Sequence, residues 1–366
     1  MRAAVLEMAG QPMVVVDDVD VEAPGVGEVA VAIAHCGICH SDLSLIDGDF
    51  PPFTPLVLGH EAAGVVTEVG PGVTTLREGD HVVLTPCPPC GSCYFCIRGE
   101  WSICLNSRSL MTSAHPDGGT RLSRNGAVVY RGLGVAAFAE TVITEANGAV
   151  KVPDDVPLDI ACVLGCAVQT GVGAVLNTAK VKEGDSMLVM GLGGVGLSVV
   201  QGARLAAAAT VIVSDPVAER RELALRLGAT HAIDPTTDDV ASACLDLTEH
   251  GVDFAFDAAG RNALIETGIN ATRFGGTTVL VGVAPISEAL HYPSATLFAA
   301  TAKNILGCLL GSANSLREIP RLIDLWRGGH LDLEALITGH RPLEEINLAV
   351  DDLRASRGVR TVIDLH

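Results

Sequence analysis

Between Ser186 and Asp215 the chain reads SMLVMGLGGVGLSVVQGARLAAAATVIVSD, and no other stretch limits its folding as strongly. An apolar run of strand length meets a cluster of glycines. A Leu/Val/Ala-spaced helix follows, and a second apolar run ends on an acid. Strand, glycine turn, helix and strand in that order mark a parallel, doubly wound α/β sheet. The alternation continues through AERRELALRLGATHAID, a charged helix and a strand, and through the buried strands VDFAFDAAG and GGTTVLVGV. These segments predict a six-stranded nucleotide-binding domain over 167–307.

Residues 1 to about 150 have a different texture. EVAVAIAHCG, HEAAGVVTEVG and GDHVVLTP show valine runs or alternation bounded by Gly, Asp and Pro, and no helical period persists. After 308 come two expected helices, SLREIPRLIDLWRGG and PLEEINLAVDDLRASRG, and a terminal strand, VRTVIDL. That last segment is too small for a domain, so it is expected to return to the first. The expected organisation is a β-rich domain over 1–166 and 308–366, split by the nucleotide domain.

GLGGVG places Gly191, Gly193 and Gly196 in a G-x-G-x-x-G pattern that follows a strand and opens a helix. That context gives the motif its meaning. The first glycine makes the turn, the second lets a pyrophosphate approach, and the third packs helix on strand, with the helix N-terminus facing the phosphates. Asp215 ends the next strand, where a carboxylate accepts hydrogen bonds from the two ribose hydroxyls and repels a 2′-phosphate. NAD is therefore expected over NADP. Arg220 and Arg221 temper that preference. As a pair they read first as a solvated helix face, with Arg220 kept among the cofactor candidates.

CPPCGSCYFCIRGEWSIC, from Cys87 to Cys104, holds five of the eleven cysteines. Its core spacing is Cys90-x2-Cys93-x2-Cys96-x7-Cys104. Four thiolates can close a tetrahedron round one ion, and zinc is the expected occupant. The ferredoxin spacing C-x2-C-x2-C-x3-C-P is absent, which disfavours an iron–sulfur cluster. Disulfides are disfavoured too. MRAAVLEMAG carries no signal-peptide pattern, and Met187–Val200 is too short and Gly-broken for a membrane span. A soluble cytoplasmic protein with reduced thiols is expected. The net charge of −19 makes nucleic acid and anionic membranes poor partners. Cys87 is left over and receives no role.

Three further fragments carry metal-binding side chains: CGICHSD (Cys39, His40, Ser41, Asp42), LGHEAAG (His60, Glu61) and LGCAVQTG (Cys166). Singly each is weak. Together, in this order with GHEAAGVV, the four-cysteine loop, GCAVQTGVGA, GLGGVG and VGVAP, they resemble the zinc-dependent, medium-chain alcohol dehydrogenases over nearly the whole chain. Their style is similar to the aryl and benzyl alcohol dehydrogenases. The resemblance implies a GroES-like catalytic domain beside a Rossmann domain, with two zinc ions per chain. One ion would lie on Cys39, His60 and Cys166, and one on Cys90, Cys93, Cys96 and Cys104. Alcohol dehydrogenase is the standard example of a Cys₂His catalytic zinc with an open fourth position.

The resemblance also implies supporting roles. Asp42 orients His60, and Glu61 sits just outside the ligand set. His40 and Arg360 touch the pyrophosphate, Thr170 and Val195 lie near the nicotinamide, and Val283 is a further cofactor-binding residue. The active site is expected in the cleft between the domains, and the assembly as a homodimer or homotetramer. The implied reaction interconverts a primary alcohol, aromatic or allylic by first choice, and its aldehyde by hydride transfer, with Ser41 taking the hydroxyl proton. Many members end that proton relay at a histidine five positions after the first cysteine ligand, and this chain has Ser44 there. The rival reading within the family is a thiol-dependent formaldehyde dehydrogenase. Outside it stands a non-catalytic NAD-binding zinc protein. Loops 44–58 and 107–138, with Leu45, Phe50 and Phe53, are expected to shape the pocket or simply to pack.

Overall fold

The valine alternation of the N-terminal third folds into a sheet built round Glu28–Gly37. That strand pairs antiparallel with Glu61–Val69, and His81–Leu84 and Ala149–Lys151 extend the sheet on the same side. On its other side it has two partners. Thr141–Glu145 takes its first half, and Arg360–Asp364 pairs with His35–Gly37. Ile337–Pro342 then adds parallel to Arg360–Asp364 as the outer strand. This strand was not expected. Its sequence, ITGHRP, is polar, and its burial alternates half-buried with exposed because only one face is covered. The computed structural model describes residues 1–290 and 294–365. Residues 291–293, from the expected nucleotide domain, and His366, at the end of the expected C-terminal segment, lie outside the described residues.

Two compact units emerge: Met1–Ala167 with Asn314–His366, and Val168–Ala313. The chain re-enters the first unit at 314 rather than at 308. There the Asn314 side chain accepts the Leu316 N–H and starts the helix Ser315–Arg327. The core of the first unit gathers Leu6, Ile33, Leu56, Leu58, Val66, Phe138 and Ile363.

An all-strand first region needs correction at His40–Asp47, which is a helix. The Asp42 carboxylate accepts the Cys39 N–H at its start, and Gly48, at φ +82°, ends it in the left-handed conformation. The segment 107–138 is not an open loop either. It carries the short strands Leu122–Arg124, Ala127–Val128 and Tyr130–Arg131, and the Arg121 guanidinium ties it to Glu28 at 2.9 and 3.1 Å. Leu45 lies in the core and Phe50 packs against it, so both are packing residues. Phe53 is exposed and rests on Tyr130.

The second unit is a six-stranded, all-parallel sheet. Across it lie His231–Ile233, Thr210–Ser214, Ser186–Met190, Val252–Asp257, Thr272–Leu280 and Asn304–Gly307. In chain order this is 3-2-1-4-5-6, the doubly wound arrangement, with its switch point between Ser186–Met190 and Val252–Asp257. Leu188, Met190, Ile212, Val252 and Ala255 form part of its core. Among the described residues, no single helix is long and apolar enough to cross a membrane.

Candidate metal centres and nucleotide site

Strand pairing brings the first donor set together. Cys39 follows the end of Glu28–Gly37, and His60 immediately precedes Glu61–Val69, which pairs with it. Cys166 follows the short helical turn Cys162–Gly165. Donor atoms of Cys39, His60, Glu61 and Cys166 all lie within 4.8 Å of one another.

The Asp42 carboxylate organises this cluster. Its Oδ1 accepts the Gly59 N–H at 3.0 Å and faces His60 Nδ1 at 3.1 Å, while Oδ2 accepts the Cys39 N–H at 3.0 Å. With Nδ1 committed to Asp42, His60 presents Nε2 inward, and that atom is buried without a hydrogen-bond partner. A buried imidazole nitrogen with no partner costs free energy unless something else binds it. Two sulfurs and a carboxylate beside it supply a zinc-type donor set, so these residues fit the ion.

Glu61 sits nearer than the expected supporting role, with its carboxylate inside the cluster. Its Oε1 accepts the Ala167 N–H at 3.1 Å, and its Oε2 faces Arg360 Nε at 3.1 Å. The Oε2 and Nε atoms are close enough for an ion pair but lack hydrogen-bond alignment. Gly37 makes room, because a Cβ there would meet Glu61 Oε2 at 2.6 Å. Burial pushes the Glu61 carboxyl up to about 8, although Arg360 pulls it down. Burial opposes charge on Arg360, and Glu61 and Cys39 outweigh it and raise its pKa. A hydrogen bond from Cys166 holds the Cys39 thiol well below its ordinary value despite burial, and the Cys166 thiol is raised correspondingly. The protein alone thus stabilises one thiolate here. Arg360 also donates to the Ile38 carbonyl. Sequence reasoning named Arg360 for the cofactor but missed this contact, and missed the Ala167 N–H. No motif marks either one.

Ser41 sits beside the cluster, its Oγ 3.9 Å from Cys39 Sγ. His40, the exposed first residue of the helix, and half-buried Ser44 lie on the same helix.

The second donor set is Cys90, Cys93, Cys96 and Cys104, with all four sulfurs within 4.8 Å of one another. Backbone N–H groups point at them. Cys90 N and Asn106 N donate to Cys104 Sγ at 3.3 and 3.4 Å, and Cys93 N donates to Cys90 Sγ at 3.3 Å. Hydrogen bonds from the Leu105 and Cys96 backbone lower the Cys93 thiol to about 6. Donors converging on sulfur favour thiolates, the form that binds metal. Cys87 stays apart. It is buried, and burial pushes its thiol up to about 12. All eleven cysteines are free.

In the second unit the three glycines play different parts. Gly191 has φ +87°, and a Cβ there would meet the Ala259 Cβ at 2.8 Å. A Cβ on Gly196 would meet the Gly191 carbonyl oxygen at 1.8 Å, so helix Gly194–Leu205 can start here only on glycine. A Cβ on Gly193 would meet nothing within 4 Å, so the main chain there is open to an approaching group. Asp215 Oδ2 accepts the Leu192 N–H at 2.7 Å and Oδ1 accepts the Val217 N–H at 2.8 Å, which fixes the carboxylate beside the glycine turn. Each oxygen keeps a second lone pair.

The solvated-face reading of Arg220 and Arg221 is corrected. On helix Ala218–Leu227 the buried residues are 220, 223, 224 and 227, so Arg220, 8% exposed, occupies the inward stripe. Arg221 donates to the Asp215 carbonyl at 2.6 Å and to Asp234 at 2.9 Å. Val195 lies in the first turn of Gly194–Leu205. The Val283 backbone packs so tightly on Gly260 that a Cβ there would approach it to 2.5 Å. Thr170 is buried, and its Oγ1 has no hydrogen-bond partner.

Residues 25–154 match the family described as Alcohol dehydrogenase GroES-like domain, and residues 194–326 match Zinc-binding dehydrogenase. The chain is 38% identical over 365 residues to an NDMA-dependent alcohol dehydrogenase of Amycolatopsis methanolica, covering 99% of this chain and 98% of that one. It is 39% identical over 368 residues to an S-(hydroxymethyl)glutathione dehydrogenase of Escherichia coli O1:K1 / APEC, with 99% of each covered. The crystal structure of benzyl alcohol dehydrogenase from Acinetobacter calcoaceticus superimposes with a TM-score of 0.93 at 32% identity, covering 100% of this chain and 99% of that chain.

Proposed function

We infer the reaction from a plain premise: the chain belongs to the zinc-dependent, medium-chain alcohol dehydrogenases and is an enzyme. It interconverts a primary alcohol and its aldehyde by hydride exchange with NAD, and an aromatic or allylic alcohol is the first choice of substrate. The observation that carries this is the buried, partnerless Nε2 of His60, facing two sulfurs within 4.8 Å. Cys39, His60 and Cys166 would hold the catalytic zinc, and Cys90, Cys93, Cys96 and Cys104 a second, structural one. When bound, zinc supplies Lewis-acid polarisation of the kind that takes water from a pKa near 16 to about 7.

The chain's own residues do the rest. Asp42 fixes the His60 tautomer, and Arg360 balances Glu61 next to the donors. Ser41 relays the hydroxyl proton, accepting it as its own proton passes to the cofactor ribose. The open face of Gly193 admits the pyrophosphate. Asp215 receives the ribose hydroxyls, and Thr170, Val195 and Val283 flank the nicotinamide. Free thiols throughout support a cytoplasmic setting.

A panel of primary alcohols, followed by NADH absorbance, tests the reading. Turnover of benzylic or allylic alcohols is expected, and no NADH with any alcohol overturns it. The similarity to an S-(hydroxymethyl)glutathione dehydrogenase favours one second reading. Formaldehyde oxidised only when a thiol such as glutathione is added would select it.

Three expected results arise here. Asp215→Asn should lower kcat/KM for NAD by roughly ten- to a hundred-fold, the worth of a charge-assisted hydrogen bond, and narrow the gap to NADP. Paired initial-rate measurements with both cofactors check it. Ser44→His places a titrating group at the end of the proton path, so the pH profile of turnover should move. An unmoved profile means that the proton leaves by another route. The strand Asn304–Gly307 is paired on one side only among the described residues and carries an exposed Leu306. A second copy can extend the sheet there, so light scattering should report a homodimer or homotetramer.

A further inference from the structure

A third constellation lies on the outer part of the first unit's sheet. His35 on Glu28–Gly37, Asp364 on Arg360–Asp364 and His340 on Ile337–Pro342 occupy three consecutive strands. Register puts them on one face. His35 is directly opposite Asp364 across the antiparallel pair, and His340 is opposite Val362, two residues from Asp364, across the parallel pair. The next residue of the first strand, Cys36, is fully buried on the other face. Both imidazole Nδ1 atoms converge on one oxygen, Asp364 Oδ1, at 2.8 Å from His35 and 3.1 Å from His340. The rings stand edge to face, with centroids 6.2 Å apart. One donor atom from each of the three residues falls within a common 4.8 Å.

We propose that His35, His340 and Asp364 form a third metal site, for a first-row divalent transition ion such as Zn²⁺ or Ni²⁺. Two imidazoles and a carboxylate suit such ions, and they do not suit Mg²⁺ or Ca²⁺, which take oxygen. Ligands about 2.0–2.1 Å from a tetrahedral ion lie a little over 3 Å apart, close to the spacings already present. On binding, each Nδ1 would carry no proton, any proton there moving to Nε2 or to solvent, and would turn from the carboxylate to the ion. The side chains are 28%, 40% and 35% exposed for His35, His340 and Asp364, so an ion can reach them and keep water in its remaining positions. Arg2 binds the carbonyl of Leu365, the residue after Asp364, and is balanced by Glu140 and Glu344. The ion would clip the two C-terminal strands to Glu28–Gly37, the strand that leads into Cys39.

The test is calorimetric titration of zinc-replete protein with Ni²⁺ alone, read beside its absorbance spectrum. One further ion per chain is expected, without thiolate charge-transfer bands. His35→Ala and His340→Ala should each weaken it at least about tenfold, the lower bound for losing even an outer partner of a metal site. His340→Asp, which keeps a ligand, should retain measurable binding. His340 sits on the outer strand, so a wild-type thermal midpoint for its variants in chelator separates lost binding from misfolding. No additional ion, an additional ion that survives the His35→Ala/His340→Ala pair, or uptake accompanied by thiolate bands each overturns the proposal.

Discussion

His60→Ala should reduce alcohol-dependent NADH formation by at least about ten-thousand-fold in kcat/KM while leaving cofactor binding in place. The magnitude follows from the chemistry the ion supplies. A shift of about nine pKa units on a bound hydroxyl is worth on the order of 12 kcal/mol, and no side chain near Cys39 replaces it. Nearly half of that figure, about 5.5 kcal/mol, is already ten-thousand-fold in rate. The variant removes the one neutral nitrogen donor and leaves Asp42 facing an empty volume. The remaining donors are the Cys39 and Cys166 sulfurs and a carboxyl that burial pushes up to about 8. Metal analysis should show loss of one chelator-accessible zinc. Fluorescence titration with NADH should stay near wild type, because the glycine turn and Asp215 belong to the other unit. Asp42→Asn tests the same centre more gently, with a loss of about ten- to a hundred-fold in metal affinity. If His60→Ala keeps activity within tenfold of wild type, the assignment of the catalytic centre fails.

Cys104→Ser should strike stability instead. The Cys90–Cys104 loop has little apolar burial of its own, with Tyr94 66% and Ile97 75% exposed. Its order rests on four sulfurs and the N–H groups aimed at them, two of which converge on Cys104. A structural zinc in such a loop contributes ordering free energy that apolar contacts do not supply, and its loss costs several kcal/mol. The expected phenotype is a lower thermal midpoint, rapid proteolytic nicking between about 87 and 113, and fast amide exchange confined to that segment. A variant loop that resists protease and exchange as the wild type does would mean that packing, not metal, holds it.

Much of this was legible in the chain. The strand–glycine–helix–strand run predicted the doubly wound sheet because periodicity and turn chemistry are local. The four-cysteine spacing predicted a closed sulfur site for the same reason. What escaped were features set by pairing rather than by pattern. Ile337–Pro342 drew no strand assignment because a strand covered on one face can be polar. Arg220 looked solvated because arginine normally is, yet the spacing 220, 223, 224, 227 puts it on the inward stripe. The meeting of Glu61 with Arg360, and of His35 with Asp364 and His340, depends on the C-terminal strand returning beside Glu28–Gly37. No window of sequence contains that register.

One carboxylate, Asp42, grips the main chain at Cys39 and at Gly59 as well as the His60 ring. Two of the donor-bearing segments are therefore clamped at a set separation by hydrogen bonds that involve no ion. The pocket is cast before it is filled. Cobalt or cadmium placed there should adopt the protein's angles in preference to its own, and stripping and reloading the centre should leave the surrounding backbone where it was.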